Sequence, residues 1–185
     1  MNNTKIIAKS KITDKAFIIM ISVAFSVILP QIFHAIGAVS GAGASVGSML
    51  LPMHVPVLFA GFVCGPVAGL VAGILSPVLS FAISGMPSAV LVPFMMAELS
   101  VYGFVAGKLS SAKTNAFFSL IITQFSGKIA RAVMVIAAVY VLNSTCVSVD
   151  SIKAFMITGI PGMVLQWILF AVFSESIKEM RKKYE

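Results

Sequence analysis

Lys128 and Arg131 stand three residues apart in the stretch QFSGKIARAVMV, between NAFFSLIIT and IAAVYVL, two runs suited to hydrocarbon. Glu98 stands in the apolar stretch MAELSVYGFVAGKL. An ionised side chain at the centre of a membrane span costs about 2.5–3.5 kcal/mol on insertion scales, so the three together cost on the order of 8–10 kcal/mol. Such groups face the interior of a bundle and pair there. Residues three or four apart share a helix face, so Gln124, Gly127, Lys128 and Arg131 form one stripe and Glu98 and Tyr102 another. A Glu98–Lys128 or Glu98–Arg131 pair leaves one cation over. The plain reading is a structural ion pair with the second cation snorkelling to the interface. The functional reading is a buried polar cavity in which the spare cation and its neighbours hold a ligand.

Other polar groups fall at useful depths. Gln166 and Trp167 lie mid-span beside Pro161-Gly162. His34 lies near the outer end of the first apolar segment, and His54 in LPMHVP near the outer end of the second. Two histidines alone do not make a metal site, and no third His, Cys or carboxylate stands at ligand spacing. There is no nucleophile–base pattern, no phosphate-binding loop and no HExxH. The expectation is a protein that is not an enzyme, takes no metal or cofactor, and cannot hydrolyse ATP by itself.

The elements that must carry these residues are membrane helices. The 185 residues are 59% hydrophobic and 10% charged, with mean hydropathy +1.04, whereas soluble domains are near half apolar and a quarter charged. At about 20 residues per span, the length accommodates about six. The expected fold is an all-α, single membrane domain over 1–185, one bundle with spans near 16–38, 50–63, 66–84, 89–107, 116–142 and 152–173. A secretory leader would show the same basic start, and AVSGAGAS faintly resembles a cleavage site, but the apolar run is longer than a typical leader core, so a first span is expected.

The formal charge of +7 does not argue for nucleic acid, because its placement follows topology. With the N-terminus inside, Lys5, Lys9, Lys11, Lys15, Lys108, Lys113, Lys178, Arg181, Lys182 and Lys183 all fall on the cytoplasmic face, as positive-inside loops require. An even number of spans also puts the C-terminus there. The outer connections are then 39–49, 85–88 and 143–151, the first rich in Gly, Ala and Ser. Cys64 and Cys146 fall on opposite sides and are not expected to pair. The series Gly65-x-x-x-Gly69-x-x-x-Gly73 and Gly103-x-x-x-Gly107 offers close helix approach, as does Ser22-x-x-x-Ser26 with Ala24 between. No internal repeat of the kind found in many secondary transporters is visible.

The run LPMHVPVLFAGFVCGPVAGLVAGILSPVLSFAISGMPS, followed by MAELSVYGFVAGKL, resembles the substrate-binding S components of energy-coupling factor (ECF) vitamin transporters. The likeness spans nearly the whole chain and is strongest from Leu51 to Leu109. It implies a ligand, a vitamin or related micronutrient, buried near the outer side under the first loop. The polar residues noted above are the expected ligand contacts: His34, His54, Glu98, Tyr102, Gln124, Lys128, Arg131, Gln166 and Trp167. It also implies a transmembrane T subunit and two ATPase subunits as partners in a bacterial plasma membrane. The family's first-helix docking motif is usually two alanines four apart; its nearest match here is Ser22 and Ser26, with Ala24 between them. Two rival readings remain: a stand-alone ion-coupled carrier with Glu98 as proton site, and an assembly subunit without a ligand.

Overall fold

The computed structural model describes residues 2–41, 43, 45–110 and 115–184. Among these residues it is helical throughout: α1 (Asn2–Val39), α2 (Ser45–Leu50), α3 (His54–Cys64), α4 (Pro66–Ser84), α5 (Val92–Ser110), α6 (Ala116–Tyr140), α7 (Asp150–Thr158) and α8 (Ile160–Tyr184). Four segments are long and apolar enough to cross a membrane: Thr13–Val39, Pro66–Ser84, Phe117–Tyr140 and Asp150–Tyr184. Two of the six expected spans fall short of that measure for identifiable reasons. The second, α3, has only 11 residues, about half of what a bilayer core needs. The fourth, α5, carries both Glu98 and Lys108 among its 19 residues. The expected continuous sixth span is broken at Gly159, between α7 and α8. Pro161, with no N–H to place in a ladder, suits the opening turn of α8.

Local chemistry marks the other boundaries. Asn115 caps α6 by accepting the Phe117 N–H at 3.0 Å, one of the donors a helix start leaves unspent. Gly65 separates α3 from α4 with φ +95° and Gly85 ends α4 with φ +70°, conformations that glycine adopts without strain. Gly65 therefore serves the turn, while Gly69 and Gly73 do the packing expected of that series. Cys64 is buried, Cys146 is exposed, and the two are unpaired.

The junction that positions α5 is made of glycines. A Cβ on Gly61 of α3 or on Gly69 of α4 would collide with the Gly103 carbonyl, and one on Gly73 with the Leu99 carbonyl. Gly107 meets the backbone at Gly65 and Pro66 in the same way. Backbones this close gain dispersion contact along their length, and in lipid that contact is what drives helices together. The seam holds α5 against α3 and α4 and turns Glu98 and Tyr102 inward, where both are fully buried.

The first helix lies on α3 and α4. Val23 packs with Met53, Val57, Ala60, Ala72 and Leu99, and Gln31 donates to the Ser84 hydroxyl at 2.8 Å. This corrects the expectation that Ser22 and Ser26 form a docking surface. They are 2% and 0% exposed, turned into the bundle, where the Ser26 hydroxyl donates to the Ser22 carbonyl at 2.8 Å. Small side chains here serve packing within the chain. Ala24 and the neighbouring Met20, Ile21, Phe25 and Ile28 are exposed. Ser26→Leu is therefore expected to overpack the bundle and cost about 1–3 kcal/mol, seen as a lower melting temperature of the purified chain. Ala24→Leu should leave that temperature unchanged. Lys113 and the rest of 111–114, expected to be cytoplasmic, lie outside the described residues, as do the side chains of Lys5, Lys9 and Lys11.

Candidate functional site

Three helices bring their polar stripes to one point. Glu98 lies in the second turn of α5, Lys128 and Arg131 on the middle turns of α6, and His54 at the first position of α3. Lys128 Nζ approaches Glu98 Oε1 at 2.7 Å and Arg131 Nη1 approaches Oε2 at 2.9 Å. His54 Nε2 sits 3.3 Å from Oε1. One carboxylate thus takes both cations, one on each oxygen. The expectation that Glu98 neutralises one cation and leaves the other apart is corrected accordingly: the spare positive charge belongs to the cluster as a whole. The carboxylate is fully buried, Lys128 is 2% exposed and Arg131 13%.

The two cation contacts differ in kind. Arg131 donates a well-formed hydrogen bond to Glu98, as a guanidinium fork does when it meets a carboxylate. The Lys128 contact is shorter and uses one of the three donors of its ammonium, leaving the others free. Arg131 Nε, His54 Nδ1 and the Tyr102 hydroxyl find no hydrogen-bond partner within the protein, and Lys128 Nζ and His54 Nε2 have only the shared Glu98 Oε1 beside them. Folded proteins satisfy the large majority of their buried polar groups. A concentration of unsatisfied ones in a single buried cluster points to a site that something else completes.

Packing around the cluster is equally specific. The Tyr102 ring passes so close to Gly127 that any Cβ there would overlap it. It meets His54 edge-on, with centroids 4.9 Å apart. Phe155 of α7 lies over both cations, 4.3 Å from Arg131 Cζ and 5.6 Å from Lys128 Nζ, within reach of a cation–π attraction. A Cβ on Gly159 would sit 3.2 Å from both Lys128 Nζ and Leu51 Cδ1. The break between α7 and α8 and the turn after α2 therefore close over the lysine. Phe155, Gly159 and Leu51 escaped sequence reasoning, because apolar residues in an apolar chain carry no signal of what they touch.

The remaining expected residues form a second polar group on the same α6 stripe. Gln124 donates to Gln166 Oε1 at 2.9 Å, and Trp167 Nε1 donates to Gln124 Oε1 at 2.6 Å. Gln166 Nε2 is buried and unspent. His34 is placed elsewhere: its imidazole packs against Gly47 of α2, where a Cβ would come within 2.6 Å of the ring. There it braces the segment that covers the cluster. Among the described residues, no three His, Cys, Asp or Glu side chains come together as a metal site would require.

A family model described as ECF transporter, substrate-specific component, matches residues 16–178. The chain belongs to that family. No curated protein and no solved structure matches it. As an ECF substrate-specific component it is a multi-pass membrane transport subunit. The matched range contains α2 to α7 entire and most of α8, and with them every residue of the Glu98 cluster and of the glutamine pair. In a substrate-specific component, a buried polar cluster with unspent donors is the natural place to look for the substrate.

Proposed function

We propose that this chain captures a vitamin or related micronutrient at the Glu98–Lys128–Arg131 cluster and hands it to a transmembrane T subunit driven by two ATPases. The observation that carries this reading is the spare hydrogen-bonding capacity buried on His54 Nδ1, the Tyr102 hydroxyl, Arg131 Nε and the Lys128 ammonium, whose one acceptor is Glu98. A purely structural ion pair would be expected to close its own hydrogen bonds, because leaving a buried donor unmade costs about 1–3 kcal/mol. Gln124, Gln166 and Trp167 extend the polar lining, and the segment around Leu51 and His34 covers it. The bundle spans a bacterial plasma membrane six times, with α3 and α5 supplying the two spans that composition does not mark and both termini in the cytoplasm. With Ser22 and Ser26 buried, the exposed face of α1 around Ala24 is the docking surface that fits a partner helix. Family membership disfavours a stand-alone ion-coupled carrier.

The direct test is mass spectrometry of small molecules released from the purified subunit, with thermal stabilisation by the released compound. Failure of any small molecule to co-purify with or stabilise the chain would favour an assembly role. Orientation is tested separately on a background lacking Cys64 and Cys146. A cysteine at Ser148 should react with an impermeant reagent in intact cells, and one at Ser111 should not. The reverse pattern would overturn the orientation.

A further inference from the structure

The charge of the cluster specifies a ligand chemistry. Lys128 and Arg131 bring two positive charges to one carboxylate. No second acid answers them: Asp14, Asp150, Glu175 and Glu179 are all exposed. Among the described residues, Glu98 is the only carboxylate within ion-pair distance of either cation. At neutral pH an imidazole of ordinary pKa is mostly uncharged, so His54 is not counted. One positive charge is thus left over in a buried place, and an uncompensated buried charge is strongly disfavoured.

The unspent groups have a matching bias. Lys128 Nζ, Arg131 Nε and Gln166 Nε2 can only donate, and the Tyr102 hydroxyl can donate as well; the acceptors beside them are Glu98 Oε1, already shared by Lys128 and His54, and one nitrogen of His54. What the site lacks is one negative charge, and its spare hydrogen-bonding groups are mostly donors. Resting on the reading that this cluster is the substrate site, we propose that its ligand is anchored there by a single carboxylate.

A carboxylate matches on both charge and shape. It brings one negative charge and two planar acceptor oxygens, which suit a guanidinium and an ammonium side by side. A phosphate monoester carries about −1.5 to −2 at neutral pH and would leave the site negative. Phe155 lies over both cations and shields the pair from water, so a charge-assisted contact formed beneath it is weakened little by solvent. A cationic ligand would add to the excess positive charge, and a neutral one would leave it uncompensated.

The test works with a ligand of unknown identity. Yeast extract is separated on a strong anion exchanger near neutral pH, and each fraction is added to the purified wild-type subunit before thermal unfolding. The fraction that raises the melting temperature should be one retained by the resin. Its effect should survive alkaline phosphatase and disappear after the carboxylates in that fraction are converted to amides. Arg131→Gln should lose most of the shift. Stabilisation by the unretained fraction, loss of the effect after phosphatase, or its survival after amidation would each overturn the carboxylate. If no fraction stabilises the wild type, the binding-site reading itself falls. The wild-type fractionation decides the matter even if the variant does not fold.

Discussion

Glu98→Gln is expected to lower the stability of the isolated subunit by about 3–5 kcal/mol, the cost of stranding buried charge. The amide keeps the size and some hydrogen bonding of the side chain but removes the counter-charge that both Lys128 and Arg131 use. A second change, Lys128→Met or Arg131→Met, should restore part of the loss, because each removes one stranded cation. Since each oxygen of Glu98 holds one cation, both double-mutant cycles should show coupling; a single structural pair would give it in only one. Thermal unfolding of the four proteins in each cycle measures the term. Coupling near zero in both cycles would remove the ion cluster as a structural element. Restoring stability should not restore ligand binding, so the two roles separate in the same set of variants.

Gly103→Val is expected to be comparably damaging for a different reason. The Gly103 backbone is packed against Gly69 on α4, and its carbonyl against Gly61 on α3, so a side chain there meets backbone that no rotamer change can move aside. Overpacking costs about 1–3 kcal/mol where neighbours can shift, and this site should lie at or above the upper end. The readout is the fraction of detergent-solubilised protein that elutes as a single species, with its melting temperature. Gly69→Ala and Gly103→Ala open the same contact, so the double variant should lose less than the sum of the singles. Full additivity would mean that the seam does not act as one unit. Because Glu98 lies little more than one turn from Gly103 on α5, a surviving Gly103 variant should also bind ligand more weakly.

Both expectations bear on the proposed site. There one carboxylate keeps two cations in place while the Arg131 Nε donor stays without a partner.

Much of this protein was legible in the chain itself. Hydropathy and the spacing of Lys and Arg are local properties, set residue by residue against lipid, and they were enough to predict a helical membrane protein; the quoted motifs pointed to the family to which it belongs. The isolated charges Glu98, Lys128 and Arg131 stood out for a similar reason: nothing apolar explains them. What only the tertiary structure decided is how they meet. The sequence left one cation paired and one spare, because charge arithmetic says nothing about which oxygen faces which helix; the fold gives each cation its own oxygen and adds His54 from a third helix. Small-residue spacing marks close packing but not its partner, so Ser22 and Ser26 read as an outward face and prove to be an inward one. The cover made by Phe155, Gly159 and Leu51 had no signature at all. Contact between apolar residues far apart in the chain is fixed by the packing of whole helices, here by the glycine seam that sets α5 against α3 and α4.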